Sequence, residues 1–149
     1  MADPAAPRHL PLVAVREVVA FPSMVIPLNV QRAPAQKAVE AAQAEPARRI
    51  VLVVQHDASV DDPQPKDVYD VGCVAEVYKV LKSTEKGALR VLAEGVSRVR
   101  IVAHRFVAGY WEVEVTPFED TDAGAPGVEA LWRTVQKQFD EYARVSRRV

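Results

Sequence analysis

The side chains that most often carry out chemistry, histidine, cysteine and serine, are few in this sequence and stand far apart. Metal sites need ligands at short spacings, and His9, His56 and His104 have neither a second histidine nor a cysteine at such a spacing. The lone Cys73 excludes an internal disulfide framework and a multi-cysteine zinc site, which fits a reducing compartment. The serines lack the flanking glycines of a nucleophile elbow. The sequence therefore predicts no metal centre and no local catalytic motif.

Binding of phosphate or nucleic acid is equally unsupported by the composition. A phosphate-binding loop places glycines ahead of Lys-Ser or Lys-Thr, and none of the 6 glycines has that context. The 19 Lys+Arg and 20 Asp+Glu leave a net charge of −1, which argues against bulk attraction to nucleic acid or to a membrane surface. No apolar run approaches the roughly 20 residues of a membrane helix. The segment Met1–His9 lacks the apolar core of a secretory signal.

Two sets of charged residues, an aspartate-rich segment and three arginines, allow more than one interpretation. The segment His56–Asp70 is rich in aspartate and proline, and we interpret it as a solvated loop. The alternative is an acidic partner-facing loop or a weak cation site, although an EF-hand would need a glycine among the acids. Arg90, Arg98 and Arg100 share one face of a predicted strand, where they are either solvated or in contact with acidic partners.

The elements that must position these residues are mostly short strands. Alternating or continuous aliphatic runs predict strands, and frequent prolines confine them to short lengths or to sheet edges. Gly95 interrupts one run and predicts a bend or a close backbone approach. We expect an α+β domain: a small, strongly bent antiparallel sheet or partly open barrel with one short helix. The predicted strands are 10–14, 24–30, 50–54, 71–81, 89–102 and 106–116, and the predicted helix is Ala33–Glu45.

The chain divides into segments of different character. Residues 1–9 are Ala/Pro-rich and predict a flexible leader, 10–118 form the β-rich domain, and 119–127 are an acidic, Gly/Pro-containing linker. Residues 128–149 predict one long amphipathic helix that we interpret as the truncated start of a helical arm. Its apolar stripe is a candidate for self-association or interdomain packing, the alternative being packing on the sheet; its main residues are Trp132, Val135, Phe139 and Tyr142.

Three stretches resemble the N-terminal domain of the ATP-dependent Lon protease. They are LPLVAVREVVAFPSMVIPL at Leu10–Leu28, DVYDVGCVAEV at Asp67–Val77 and RVLAEGVSRVRI at Arg90–Ile101. The resemblance spans residues 10–119 in the expected order, and the last helix is similar to the start of the family's helical region. Departures are mild: residues 14–17 read Ala-Val-Arg-Glu where the family usually has Pro-Leu-Arg-Asp, and Cys73 stands where Thr is common.

This resemblance implies a PUA-like pseudo-barrel from a cytoplasmic, homo-oligomeric protease, hexameric in the family. That protease unfolds its substrates with an ATPase ring and cuts them with a Ser-Lys peptidase. Neither part is in this chain, so we expect it to have no catalysis and no cofactor of its own, with ATP and magnesium belonging to the parent protein. Unfolded or damaged proteins are the expected partners.

The function left to such a chain is recognition of other polypeptides. Unfolded proteins expose apolar side chains, so a module that selects them needs apolar surface of its own. The best candidates lie in the proline-containing loop between the first two strands, at Val18, Val19, Phe21, Pro22 and Met24. Alternatively, these residues plug the end of the barrel. Two other functions stay open: a stand-alone Lon-type adaptor or receptor, and a PUA-like RNA-binding module using the three arginines.

Overall fold

The computed structural model describes residues 8–16, 18–82, 87–118 and 126–146. A short 3-10 turn at Pro65–Asp67 precedes the fourth strand. The elements, in chain order, are β1 (Arg8–Val15), β2 (Val25–Val30), α1 (Ala33–Gln43), β3 (Arg49–Val54), β4 (Val71–Lys82), β5 (Leu89–Val107), β6 (Tyr110–Pro117) and α2 (Val128–Ser146).

The first strand begins earlier than the sequence predicts. We expected a leader through His9, but Arg8 and His9 pair with Val115 and Glu114 of β6 and so belong to β1. Backbone pairing, which hydrophobic alternation does not report, extends the strand. The rest of the predicted leader, residues 1–7, lies outside the described residues.

The six strands form one mixed sheet in the order β2-β5-β4-β3-β1-β6, and β5 also pairs with β6. This second pairing bends the sheet into a barrel-like form. The predicted antiparallel pairing holds for every described pair of strands except β1 and β3, which run parallel from Leu12↔Val51 to Val15↔Val54. Parallel neighbours need a crossover connection, and the segment carrying β2 and α1 supplies it.

β3 separates two hydrophobic cores, as its continuous aliphatic sequence predicts. Ile50 and Leu52 face one core, and Val51 and Val53 face the other. All four side chains are buried, so both faces of the strand are dry. The first core also takes side chains from β2 and from α1, whose buried residues are Ala38, Val39 and Ala42. The predicted helix at Ala33–Glu45 is thus present, ending at Gln43.

The longest strand, β5, extends further than the sequence predicts. We expected a break between strands 89–102 and 106–116, but β5 runs from Leu89 to Val107 and then turns directly into β6. The turn residues Ala108 and Gly109 have φ of 52° and 87°. Register shifts lie at Val74/Ala75 and Val77/Lys79 of β4 and at Ile101/Ala103 of β5. These irregularities allow a long strand to curve without ending.

The chain divides into two compact units, Met1–Phe118 and Glu119–Val149. Of the predicted linker 119–127, the structure describes only Pro126 and Gly127, which form a turn before α2. α2 contains no buried residue in its described length. Residues 147–149 of the predicted helix lie outside the described part. No helix among the described residues is long and apolar enough to cross a membrane.

Candidate functional site

The loop between β1 and β2 presents apolar side chains to solvent. Val19 and Phe21 are 54% and 55% exposed, and Met24 is 39% exposed. Pro22 is exposed as well. Val18 is the exception, because it is partly buried and packs against the first core. Most of the predicted binding residues therefore lie on the surface. Val18 instead packs inward and anchors the loop. The alternative interpretation, that these residues plug the end of the barrel, thus fits Val18 only. We call Val19, Phe21, Pro22, Met24 and Val25 the apolar loop surface.

Backbone hydrogen bonds to Gly95 of β5 hold this loop in place. The Ser23 N–H donates to the Gly95 carbonyl at 2.8 Å, and the Gly95 N–H donates to the Met24 carbonyl at 2.8 Å. The Met24 N–H donates to the Phe21 carbonyl at 3.2 Å, and Ser23 has a φ of 67°. The exposed side chains are thus displayed by a braced backbone, which lowers the entropy lost when they bind.

Gly95 is the residue that permits this close approach. A Cβ atom at this position would overlap the Phe21 carbonyl oxygen and lie 3.3 Å from Cys73 Sγ. Cys73 is buried beneath the crossing, and burial raises the pKa of its thiol, with backbone hydrogen bonds at Val96 and Ser97 opposing the rise. A buried, protonated thiol is unreactive, so Cys73 has a packing role. The predicted close approach at Gly95 is confirmed.

The exposed apolar area continues from the loop onto neighbouring strands, which the sequence analysis missed. Val25 at the start of β2 is 52% exposed, and Val96, next to Gly95, is 38% exposed. On the outer face of the sheet, Leu92 is also exposed, and the Tyr78 hydroxyl donates to Glu94. This hydrogen bond is the main cause of a raised pKa for Tyr78. The strand alternation of β2 could have placed Val25 outside, because Ile26, Leu28 and Val30 are the buried residues.

The titratable side chains of the described residues make local contacts rather than a metal site. Within them, no group of three or more His, Cys, Asp or Glu side chains is placed to hold a metal ion. In the acidic segment, Asp57 accepts hydrogen bonds from the Ser59 backbone and hydroxyl, which lower the pKa of its carboxyl. This local turn is what the solvated-loop interpretation predicts.

Two of the three predicted arginines, Arg98 and Arg100, make contacts within the domain, and Arg90 is exposed. The guanidinium carbons of Arg98 and Arg100 lie 4.8 Å and 5.2 Å from the centroid of the Phe118 ring. Arg100 also lies 3.6 Å from Asp70. Such contacts offset the positive charge and fix the end of the β-rich unit. They do not favour the RNA-binding alternative.

The second candidate surface is the stripe on α2, considered by itself. Trp132, Val135, Phe139 and Tyr142 are between 54% and 61% exposed. Leu131 and Val145 lie beside them and are more exposed still, at 67% and 79%. Arg133 donates to Glu129 at 2.6 Å, an i,i+4 pair of the kind that stabilises an exposed helix. An apolar face this long on a stable helix is typical of an interaction surface.

Comparisons with known proteins agree with this architecture. A family model described as the ATP-dependent protease La (LON) substrate-binding domain matches residues 9–149. The Lon protease of Desulforamulus reducens is 37% identical over 142 residues, which are 95% of this chain and 17% of that protein. The Lon protease of Xanthomonas oryzae pv. oryzae is 39% identical over 141 residues, or 94% of this chain and 16% of that protein. The chain thus spans about one-sixth of the length of these curated relatives.

Solved structures show the same fold. The N-terminal domain of Mycobacterium avium complex Lon protease superposes with a TM-score of 0.76 at 22% identity, covering 94% of this chain and 70% of that one. A Lon N-terminal domain protein from Xanthomonas campestris gives a TM-score of 0.57 at 16% identity, covering 78% and 68%. At these identities the likeness supports the fold alone. The family match over residues 9–149 shows that this chain belongs to the Lon substrate-binding domain family.

Proposed function

We propose that this chain captures unfolded or damaged polypeptides for an ATP-dependent serine protease of the Lon type. The chain itself performs no catalysis in this proposal. ATP, magnesium and the peptidase residues belong to other parts of a cytoplasmic, homo-oligomeric parent protein. The family description as a substrate-binding domain supports this assignment.

The observation that carries the proposal is the braced apolar loop surface. Phe21 and Met24 expose about half and two-fifths of their surfaces, at 55% and 39%, beside a backbone tied to Gly95. An exposed phenyl ring gains free energy on burial against almost any apolar partner. A methionine adapts to partners of varied shape. Such a surface suits clients that share exposed apolar side chains but no common sequence.

The proposal is tested with the double variant Phe21→Asp and Met24→Asp. Burying each side chain is worth roughly 1.5–3 kcal/mol, so we expect at least about tenfold weaker binding of reduced, carboxymethylated α-lactalbumin. Fluorescence anisotropy of the labelled client measures the affinity. Circular dichroism is expected to match that of the wild type, because both side chains are exposed.

The matched control is the double variant Val102→Asp and Phe106→Asp. It introduces the same charge at an aliphatic and an aromatic side chain of comparable exposure, 50% and 53%, in the later part of β5. We expect this control to bind the client as the wild type does. Equal affinities of all three proteins would reject the apolar loop surface as the binding site. Absence of client binding by the wild type would reject the proposed function.

The stand-alone adaptor is the other function that the same surface supports. Both curated relatives carry the matching segment as about one-sixth of a longer Lon protease, which favours the proposal of a domain within such a protease. We therefore retain substrate capture for an attached protease as the proposed function.

A further inference from the structure

β2 leaves one of its edges without a strand partner in the described sheet. It stands at the end of the strand order and pairs only with β5. Val25, the last residue of the apolar loop surface, is the first residue of this strand. An exposed strand edge presents a row of backbone donors and acceptors to any extended chain.

The register identifies which backbone groups face away from β5. The Gly95 N–H donates to the Met24 carbonyl, and Val25 pairs with Glu94 in continuous register up to Val30↔Leu89. Because hydrogen-bonded and non-hydrogen-bonded positions alternate in an antiparallel pair, Val25, Pro27 and Asn29 direct their backbone groups away from β5. Pro27 fits this pattern, since proline occurs where no ladder N–H is needed.

These outward groups have no hydrogen-bond partner among the described residues. The backbone bonds outside the sheet ladders and the side-chain bonds involve other positions. The Val25 and Asn29 N–H groups and the carbonyls of Val25, Pro27 and Asn29 are therefore available to another chain.

A groove runs along the later part of this edge. It has a volume of about 340 Å³, with Pro27–Arg32 on one side and Val13–Arg16 and Val18 on the other. Among the described residues that line it, Arg16, Asn29, Gln31 and Arg32 are polar or charged, and the others are apolar. Arg32 donates to Gln55 at 2.7 Å; burial and then the nearby Arg16 lower its pKa, while Asp61 and Asp62 oppose this shift. Arg16 lies 3.4 Å from Asp61. Both guanidinium groups thus already have carboxylates nearby, and what the groove adds to the free edge is space beside it for an extended chain.

We propose that the free edge of β2 takes up an extended segment of an unfolded client polypeptide as an additional β-strand. This inference rests on the proposed function and adds the manner of recognition. Folded proteins have their backbone groups paired, so only an unfolded or unpaired segment offers a complete set of donors and acceptors. Client side chains would contact the apolar loop surface while the client backbone pairs with β2. Affinity from main-chain hydrogen bonds is the mark of strand addition.

The test uses a labelled ten-residue peptide of alternating valine and threonine with a glutamate at each end. Two derivatives are N-methylated on either the valines or the threonines, which removes the N–H groups from one edge of the extended peptide or from the other. We expect one derivative to bind at least about tenfold more weakly than the parent peptide, because several hydrogen bonds are lost together, and the other to bind nearly as well. Equal affinities of the two derivatives would overturn the proposal.

The protein side is tested by Asn29→Pro, with Asn29→Ala as the matched control. Proline removes the outward N–H but no bond to β5, whereas alanine removes the side chain and keeps the N–H. We expect weaker peptide binding by Asn29→Pro alone; equal binding by both variants, folded by circular dichroism, counts against strand addition. The peptide derivatives need only the wild-type protein, so they decide the matter if the proline variant does not fold.

One further readout completes the test. Binding of carboxymethylated α-lactalbumin is measured alongside. If the α-lactalbumin binds while both methylated derivatives behave alike, strand addition fails and client capture stands. If neither the α-lactalbumin nor the parent peptide binds, the proposed function fails as well.

Discussion

At the scale of single residues, Gly95 has the most direct control over the apolar loop surface. Its lack of a side chain lets the Phe21 carbonyl lie directly against β5. The Gly95 carbonyl accepts a hydrogen bond from the Ser23 N–H, and the Gly95 N–H donates one to the Met24 carbonyl. The sequence could predict a special role for this glycine because it interrupts an otherwise regular strand pattern. It could not predict which segment makes the approach, since that depends on how distant strands pair.

Replacing Gly95 by alanine is expected to displace this loop. The added methyl group overlaps the Phe21 carbonyl oxygen, so the loop must move away from β5. Forcing a side chain into such a contact typically costs about 1–3 kcal/mol. Urea unfolding should show this loss, and client binding should weaken because the exposed side chains are no longer held together.

Val96→Ala is the control for that substitution. Val96 adjoins Gly95 but is exposed, so its truncation should leave both stability and loop position nearly unchanged. Faster alkylation of Cys73 in the Gly95 variant would report that the crossing above the thiol has opened. A Gly95→Ala protein with the wild-type midpoint and wild-type client affinity would contradict this account.

His104 gives the stability of the domain a dependence on pH. Burial lowers its pKa below the ordinary histidine value, and its Nε2 atom is buried with no hydrogen-bond partner among the described groups. The unfolded chain binds this proton more readily than the folded one. The stabilising contribution is therefore complete above about pH 6.5, the unfolded value, and is lost as the pH falls toward the lower folded pKa.

Urea unfolding at pH 7.5 and at pH 5.5 measures this effect. We expect the wild type to lose more stability between the two pH values than His104→Phe, in which the other two histidines are unchanged. An NMR titration of the His104 ring should place its pKa below about 6.5. Identical pH dependence of the two proteins, or a ring pKa at or above that value, would contradict the expectation.

At the scale of elements, α2 was predicted well because its periodicity is long and regular. Its apolar residues recur every three or four positions, and the helix spans Val128–Ser146. Strand partners were harder to predict. Alternation shows that β1 and β3 are strands but says nothing about which strand lies beside which, so their parallel pairing was missed. The continuity of β5 was missed for a related reason, since a register shift near Ala103 resembles a strand end in the sequence.

The exposed stripe of α2 predicts self-association of this chain. Burial of several large apolar side chains should produce dimers or larger species at concentrations on the order of hundreds of micromolar. Sedimentation equilibrium measures this directly. Trp132→Asp combined with Phe139→Asp should give a monomer, because both side chains lie on the stripe and are more than half exposed.

A control for the helix variant is Thr134→Asp combined with Gln138→Asp. These two positions are exposed and polar, so they add the same charge to α2 without removing an apolar side chain. The control should associate as the wild type does. A wild-type chain that stays monomeric at the highest concentration would refute the role assigned to the stripe.

At the scale of the whole molecule, the fold class and the exposed loop were within reach of the sequence, whereas the groove beside β2 was not. The loop is predicted because apolar residues adjoin prolines that no central strand tolerates. The groove exists because β2 pairs with β5 on one side only, and β1 pairs with β3 rather than with the other side of β2. Long-range pairing of this kind is set by the packing of the two cores around β3, which no local pattern reports.

β5 is hydrogen-bonded to three other strands along its 19 residues and contributes to both cores. Loss or gain of one residue inside it would turn every later side chain to the opposite side of the sheet. Related chains should therefore keep the length of this strand. Conservative substitutions in β5 leave this register intact, whereas an insertion or deletion disturbs the packing of both cores.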